Sequence, residues 1–562
     1  MRLTGPLRQR RAQRPAGHRL HPHRARLPGR RRRPGRGRSG SRRPAARRRP
    51  AAPAPPGGRM SVLSTVAALT ASRTGRAEPL TTVRHHHLDD KPFVLVPLTL
   101  AGEACAPLAA LAGTDPEHPV LLTVRQPRNR AERFRFAERL AALLLAHIDE
   151  CRAETELYTV GRGKEKEERL RFQRAPQLLV PNGEGIAYVR LLGRLTRLRA
   201  TEGPYAVDPS VPALGKWLTW FADLAEFPDS GVLLAMTRLL AAHWATGQSP
   251  SEDSHLASLL AWIDPPEGSD GATAAREAED PAVWPPAGPS TDPVFDRTLH
   301  ELMTRYDEAS DDRGREAVGR QIDRELNGQM LPTWRLMWRG VELLRELPEG
   351  AHVPGRWERD RRWFSEYAEY LDADGRPQAR RDQAVRAARR LARLEDAVAR
   401  YEAERAYDDP LVMAEYELTG EAFTGTVTAR DEDRFVPGGR PGSQVWRPTL
   451  TLRTDARTVP AVGTGVKSPA RSDQGARILE VRQEDDGGHT VVLQIEGGFA
   501  RKRKPPAPPG TLAGTGEELT YTTLNPKAMP SALPDEGDTP WTHGGPPQPY
   551  EPTDEDAEET WE

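Results

Sequence analysis

The sequence predicts a multidomain α+β protein: a mixed α/β region at residues 60–200, a Trp-rich helical region at 201–410, a small antiparallel β-barrel at 411–525, and disordered ends. Three observations carry this prediction. Short β-branched runs open the first region, nine of the 12 Trp residues fall among helix patterns between Trp217 and Trp363, and strand-like alternation begins after residue 411. At roughly 100–200 residues per domain, the 562 residues fit three or four domains.

In the mixed α/β region, the short apolar runs 92–100, 120–124 and 177–180 predict strands. A helix is predicted before the third strand, because apolar residues recur at i, i+4, i+7, i+8 and i+11. They are Phe136, Leu140, Leu143, Leu144 and His147. A second helix pattern covers 186–199.

In the middle region, helix patterns are separated by Pro-rich breaks such as 264–266 and 284–286. They cover residues 214–225, 232–244, 255–263, 293–307 and 331–347. A longer helix is predicted at 382–405, with an apolar stripe of Ala387, Leu391, Leu394, Val398 and Tyr401. Two heptads are few for a coiled coil, so we expect this stripe to pack against the rest of the helical region.

The C-terminal region contains five short strand patterns, at 425–429, 449–454, 476–483, 490–496 and 518–524. Residues 484–489 form a hairpin turn between the third and fourth patterns. Five or six short antiparallel strands in about 110 residues predict a small closed barrel. Residues 462–468 look superficially like a phosphate loop, but Val466 stands where that motif needs Gly before Lys, so we interpret them as a barrel turn.

The barrel segment carries a recognisable order of features: residues 423–427, then Arg447-Pro448 ahead of a strand, the hairpin at 485–488, and Pro509-Gly510 ahead of the last strand. In this order it resembles the small β-barrel inserted in superfamily-1 nucleic-acid helicases and, more generally, OB- and SH3-like barrels. The resemblance covers about a fifth of the chain and implies a barrel that touches nucleic acid or a motor protein. Helicase ATPase motifs are missing from the sequence, so the chain itself is not predicted to be a helicase.

Charge is distributed unevenly along the chain. Residues 1–59 contain 20 Arg and no Lys, Asp or Glu; without them, 61 basic residues face 80 acidic ones. The net negative charge of residues 60–562 argues against nonspecific nucleic-acid binding by bulk charge. The first 59 residues have three interpretations: a basic nucleic-acid-binding arm, a targeting peptide, or sequence upstream of a true start at Met60. No apolar segment follows the charges, which argues against a targeting peptide. We favour the start at Met60, because the composition becomes ordinary after that residue. Residues 526–562 carry one Lys and ten acidic residues and are predicted to be a disordered tail.

Composition also bounds the class of protein. Only Cys105 and Cys151 are present, which fits a reducing cytoplasm better than a disulfide scaffold. No run of about 18 apolar residues suggests a membrane span. The 73 Arg against 8 Lys are typical of a GC-rich, actinomycete-like bacterial genome. The absence of GxGxxG, HExxH, GxSxG and CxxC motifs lowers the expectation of dehydrogenase, zincin, hydrolase or redox chemistry and favours a protein that is not an enzyme.

Three basic groups are candidate nucleic-acid-binding sites, because Arg binds phosphate in a bidentate manner and stacks on bases. The first group lies within fifteen residues, interleaved with Phe134 and Phe136: Arg125, Arg128, Arg130, Arg133, Arg135 and Arg139. The second shares a helix face: Arg190, Arg194 and Arg197. The third is a loop of the barrel: Arg501, Lys502, Arg503 and Lys504. Alternatively, these arginines pair with the acidic helical region of the same chain, or the barrel loop is simply solvated.

His85, His87 and Asp89 form the densest cluster of potential metal ligands. On a strand they would share one face, and imidazole with carboxylate suits Zn²⁺, Mn²⁺ or Fe²⁺. Alternatively, these residues belong to a polar strand entry or a turn.

The sequence therefore predicts a non-catalytic accessory or interaction subunit of a nucleic-acid-processing machine, without a cofactor. It would bind DNA or RNA through its basic groups and a partner protein, such as a motor ATPase or nuclease, through its acidic surface. The alternatives are a protein-only scaffold and a hydrolase that uses a divalent transition metal at His85, His87 and Asp89.

Overall fold

The computed structural model describes residues 61–103, 105–161, 166–286, 288–379, 381–382, 384–499 and 504–530. The predicted start at Met60, the segment before it and most of the acidic tail lie outside these residues. Within the described ranges, no helix is both long and apolar enough to pass through a bilayer.

Helices dominate the N-terminal and middle parts of the described chain. They are α1 (Val62–Thr74), α2 (Arg130–Cys151), α3 (Gly183–Thr196), α4 (Ser210–Leu224), α5 (Met236–Ala241), α6 (Leu256–Ile263), α7 (Gly271–Ala278), α8 (Pro293–Glu308), α9 (Asp312–Glu346), α10 (Val353–Asp372), α11 (Ala384–Asp408) and α12 (Pro410–Thr419).

The strands outside the barrel are β1 (Glu78–Pro79), β2 (Phe93–Thr99), β3 (Pro107–Gly113), β4 (Val120–Thr123), β5 (Thr155–Val160), β6 (Glu167–Phe172), β7 (Leu178–Val180), β8 (Leu233–Ala235) and β9 (Trp244–Ala245). Those of the C-terminal part are β10 (Ala422–Asp431), β11 (Phe435–Pro437), β12 (Gln444–Trp446), β13 (Thr449–Thr454), β14 (Gly465–Lys467), β15 (Gly475–Gln483), β16 (His489–Ile495) and β17 (Glu518–Thr522).

A five-stranded sheet with the order β4-β3-β2-β7-β8 organises the mixed α/β part. β2, β7 and β8 are parallel, whereas β3 and β4 are antiparallel additions at one edge. Side chains of β2 alternate between two cores: Phe93 and Leu95 face a core that includes residues of α2, α3 and α4, and Val94 and Val96 face a core that includes residues of α5, α6, α8 and α9. Because helices cover both faces, these strands are apolar along nearly their whole length.

The predicted helix at 232–244 is wrong in its first and last residues. The chain forms β8, then the short α5, then β9, and β8 pairs in parallel with β7. An apolar run of this length does not distinguish a buried strand from a helix, and pairing beside β7 decides it here. The predicted helix at 331–347 is the second half of the 35-residue α9, which continues through Pro332. Burial of Met330 and Trp334 against the sheet outweighs the backbone hydrogen bond that proline removes.

The C-terminal part confirms the predicted small barrel. Six antiparallel strands close in the order β10-β13-β16-β15-β14-β17, and the predicted hairpin joins β15 to β16. Inward residues such as Leu450, Leu452 and Leu493 are fully buried. The segment with the superficial likeness to a phosphate loop supplies a turn and strand β14.

A close crossing of α3 and α4 positions the arginines of α3. A Cβ added to Gly215 would lie 2.2 Å from the backbone nitrogen of Arg197, and one added to Gly193 would lie 2.8 Å from that of Thr219. Only glycine therefore permits this approach of the two helices.

We expect Gly215→Ala to lower the free energy of unfolding by about 1–3 kcal/mol, because the obstructing atoms belong to backbone that must shift. Urea denaturation followed by circular dichroism measures the effect. Gly328→Ala in α9 is the matched control: a Cβ there meets nothing within 4 Å, so the free energy of unfolding should rise by about 0.5–1 kcal/mol. Equal stability of Gly215→Ala and the unmodified protein would contradict the close crossing.

Candidate functional site

Two arginine-bearing helices that are distant in sequence reach the same carboxylate with their side chains. Glu226 joins them: its Oε1 lies 3.0 Å from Nη2 of Arg190 on α3, and its Oε2 lies 2.7 Å from Nη2 of Arg390 on α11. A second contact lies further along α3, where Nε of Arg197 donates to the carbonyl of Gln378 at 2.8 Å. Arg190 on α3 and Arg197 at its C-terminal end are therefore each linked to the segment 378–390, one through Glu226 and one directly.

This arrangement forms an arginine face, which we define by four exposed residues: Arg194, Arg381, Arg386 and Arg393. Arg194 lies one turn from Arg190, between the two contacts to residues 378–390. Arg386 and Arg393 lie one turn before and one turn after Arg390, on the same side of α11.

In the part of the chain that the structure describes, the carboxylates of Glu226, Asp223 and Asp382 contact Arg190 and Arg390, and not the four exposed arginines that define the face. Arg190 and Arg390 share the single carboxylate of Glu226. Arg390 also approaches Asp223 and Asp382, at 3.4 and 3.6 Å. Burial raises the pKa of Asp223, and Arg390 opposes that shift. The face is therefore a cationic surface built on two helices.

Exposed apolar side chains accompany the arginines. Leu391 is 58% exposed and Leu191 is 38% exposed, each directly following one of the arginines that bind Glu226. Guanidinium groups beside apolar surface can bind phosphates in a bidentate manner and contact bases. A polyanion that carries flat or apolar groups is the ligand class that this surface suits.

Sequence reasoning identified Arg190, Arg194 and Arg197 but missed their partners on α11. The predicted apolar stripe of α11 is wrong in its N-terminal half: Ala387 and Leu391 are exposed, Leu394 and Val398 are half-buried, and only Tyr401 is buried. The signal that could have revealed the face is the spacing of Arg386, Arg390 and Arg393, at i, i+4 and i+7.

The first predicted basic group is divided between internal ion pairs and solvent. Arg125 binds Glu316 at 2.7 Å and Asp323 at 2.6 Å, both on α9. Arg128 and Arg133 bind Glu103, at 3.0 and 3.2 Å. Arg125 therefore pairs with the acidic helical region, as the alternative interpretation expects, whereas Arg128 and Arg133 pair with an acid of the mixed α/β region.

Arg130, Arg135 and Arg139 of the same group are exposed. The guanidinium of Arg130 lies 4.5 Å from the ring centre of Phe134 and donates to the carbonyl of Tyr205. Arg139 donates to the carbonyl of Leu121 at 3.0 Å. Phe134 and the neighbouring Phe136 are buried in the core, so neither offers an open ring to a base.

The basic loop of the barrel is described only at Lys504, which is exposed; Arg501, Lys502 and Arg503 lie outside the described residues. Next to Lys504, Pro505 and Pro506 line an open groove together with residues 430–433. Three of those four residues are acidic, and Arg430 pairs with Glu432 at 3.0 Å. The groove offers less positive charge than the arginine face.

The structure does not assemble the predicted metal site. Residues 85–89 are not a strand, so the period-two premise fails. His87 stacks on Trp357 and its Nδ1 lies 3.2 Å from Glu349, Asp89 pairs with Arg174 at 2.8 Å, and His85 is buried near Asp409. Within the described ranges, no group of three or more His, Cys, Asp or Glu is placed to hold a metal ion.

His85 and its neighbours instead belong to a buried ionic cluster centred on Arg356. Arg356 donates to Glu404 at 2.7 Å and to the carbonyl of His85 at 3.0 Å, and it lies 3.7 Å from Asp408. Arg356 and both carboxylates are at most 8% exposed. The cluster joins α10 and α11 to the segment around His85.

The histidines at this cluster are held neutral. Burial, together with nearby arginines, lowers the pKa of His86 to about 3 and that of His243 to about 4. Burial, Arg405 and His243 place the pKa of His85 well below its ordinary value. Burial raises the pKa of Asp360, which lines the same small cavity as His85 and His86, to about 7.

Neither cysteine is set up as a nucleophile. Both are buried, and burial raises the pKa of each thiol to about 12, so the reactive thiolate is scarce at neutral pH.

Comparison with known proteins finds no family model that matches this chain, no similar curated protein and no similar solved structure.

Proposed function

We propose that this protein is a non-catalytic, nucleic-acid-binding accessory subunit, which binds its polyanion at the arginine face. The observation that carries the proposal is the sharing of Glu226 by Arg190 and Arg390, which places arginines of α3 and α11 on one surface with more positive than negative charge. In this role, a partner protein would supply ATPase or nuclease activity.

The proposal is supported by geometry as well as charge. Each helix positions its guanidinium groups one turn apart, and Glu226 links Arg190 of α3 to Arg390 of α11. Exposed Leu191 and Leu391 provide apolar surface beside the charges, which favours unpaired or splayed bases over a plain duplex backbone.

The test is a charge-reversal variant of the full chain, Arg194→Glu with Arg386→Glu and Arg393→Glu. We expect its affinity for a labelled single-stranded oligonucleotide to fall about tenfold or more. The slope of log affinity against log salt should become shallower by about 2, since each lost phosphate contact on a single strand removes about 0.7. Fluorescence anisotropy between about 50 and 200 mM salt measures both quantities.

The matched control reverses three exposed arginines on α8 and α9: Arg297, Arg313 and Arg324. This control makes the same change in net charge and keeps the basic residues 1–59, so it corrects for bulk electrostatics and for that segment. Equal losses in the two variants would overturn the proposed site. No measurable binding by the unmodified protein would favour the protein-only scaffold.

The second candidate function, a hydrolase with a metal at His85, His87 and Asp89, is not favoured by a specific observation of the structure. These side chains have separate partners, and the His85 imidazole is buried.

A further inference from the structure

The described chain leaves the barrel beside the helix that carries the arginine face. The hydroxyl of Tyr407, at the C-terminal end of α11, donates to the carbonyl of Leu524 at 3.1 Å. Leu524 also packs against a small apolar cluster that includes Ala406 and Met413. Although Lys527 pairs with Asp473 at 2.6 Å three residues later, Leu524 itself is a fixed point on the end of α11.

The arginine face lies at a defined distance from this point. Arg393 and Arg386 precede Tyr407 by 14 and 21 residues in the same helix. At 1.5 Å per residue, they lie about 21 and about 32 Å along the helix axis from Tyr407.

Residues 531–562 have a charge that complements the arginine face. They contain ten acidic residues and no Lys or Arg, and seven of the ten lie in residues 551–562. Carboxylates bind guanidinium groups in the same bidentate manner as phosphates do. Trp561 within this acidic stretch is suited to apolar contact with a surface that exposes Leu391.

The connection is long enough to reach the arginine face. Twenty residues lie between Pro530, the last described residue, and Glu551, and a chain of that length can extend to about 70 Å. An intramolecular ligand whose connection can span the separation reaches an effective concentration on the order of 1 mM.

We propose that the acidic segment 551–562 binds the arginine face of its own chain and competes there with nucleic acid. This inference rests on the proposed function for the identity of the competing ligand. When the segment is bound, it occupies the arginine face in place of nucleic acid. A nucleic acid then binds only if its affinity is higher or if a partner protein displaces the segment.

The test neutralises the segment without shortening the chain, by changing Glu551, Glu555, Glu558, Glu559 and Glu562 to Gln and Asp554 and Asp556 to Asn. We expect this variant of the full chain to bind the oligonucleotide about tenfold more tightly at low salt, because the competing segment is lost. The gain should disappear when Arg194, Arg386 and Arg393 are also changed to Glu, since the face is then lost to both ligands. An equal gain in oligonucleotide affinity with and without the three Arg→Glu changes would indicate general repulsion between the acidic segment and the oligonucleotide, and would overturn the inference.

A direct measurement separates this inference from the proposed function. A photo-cross-linking amino acid in place of Tyr550 should form cross-links within residues 376–393 or 190–197 when no nucleic acid is present. Such cross-links in a protein that binds no oligonucleotide would support the docked segment and overturn the proposed function. Oligonucleotide binding that neutralisation leaves unchanged, with cross-links only to residues 1–59, would overturn the inference and leave the proposed function standing.

Discussion

Replacing Arg356 with methionine is expected to lower the free energy of unfolding by about 3–5 kcal/mol. The guanidinium, which is 3% exposed, lies between Glu404 at 2.7 Å and Asp408 at 3.7 Å. Methionine preserves much of the side-chain volume, but it leaves the buried Glu404 without its 2.7 Å guanidinium partner and removes a second positive charge from Asp408, which keeps His352 at 2.5 Å. The cost is therefore the desolvation of unpaired charge rather than the loss of one surface contact. Urea denaturation measures the change.

Two further variants make this prediction specific. The double variant Arg356→Met with Glu404→Leu should recover part of the loss, because it removes one of the stranded charges together with its partner. Arg362→Met on the same helix is the matched control: Arg362 is 39% exposed and lies 3.8 Å from Glu366, so we expect a change within about 0.5 kcal/mol. A loss no greater for Arg356→Met than for Arg362→Met would show that the cluster does not stabilise the fold.

Stability should also fall steeply as the pH drops below about 6. In the folded protein, burial holds His85, His86 and His243 neutral, with pKa values below the ordinary 6.5. A histidine whose pKa is lower in the folded protein binds its proton at a higher pH in the unfolded chain. As the pH falls from 6.5 towards the folded pKa, protonation therefore stabilises the unfolded chain and lowers the free energy of unfolding. Arg405 and Arg356 face these rings and oppose protonation, while Asp409, 3.9 Å from His85, is the nearest acid.

Asp360 acts in the opposite direction. Its pKa is raised to about 7 in the folded protein, so the folded state holds one more proton there than the unfolded chain between about pH 7 and pH 4. For these four groups, three histidine protons minus one aspartate proton leave a net difference of about two protons. They should therefore lower the free energy of unfolding by about 3 kcal/mol per pH unit between about pH 6 and pH 4.5. Burial also lowers the pKa values of His87, His147 and His255, which add to the fall, whereas Asp408 raises the pKa of His352, which opposes it.

Urea midpoints across this pH range measure the slope. His243→Asn, whose amide can still donate to the carbonyl of Leu239, should reduce the slope by about one proton. His300→Asn changes an exposed histidine and should leave the slope unaltered. A slope that is unaffected by the substitution at His243 would contradict the assignment of neutral buried histidines.

Local pattern was sufficient where one segment decides its own structure. Period-two alternation and a Gly-Gly turn identified the barrel strands and the hairpin between β15 and β16, because each strand buries alternate residues such as Leu450 and Leu452. The helical spacing from Phe136 to His147 likewise identified α2, whose apolar side packs in the core beneath the sheet. The 233–235 segment shows the limit, since it becomes a strand only because β7 lies beside it.

The candidate site shows the same division. The sequence by itself identified arginines that suit phosphate, including Arg194 and Arg190, since that chemistry belongs to the residue type and its helical spacing. Only the tertiary structure decided which arginines form ion pairs within the chain, as Arg125 does with Glu316, and which are exposed to solvent. It alone brought Arg390 of α11 and Arg190 of α3 to the same carboxylate, because the shared contact with Glu226 depends on chain packing across 200 residues of sequence, to which no local pattern refers.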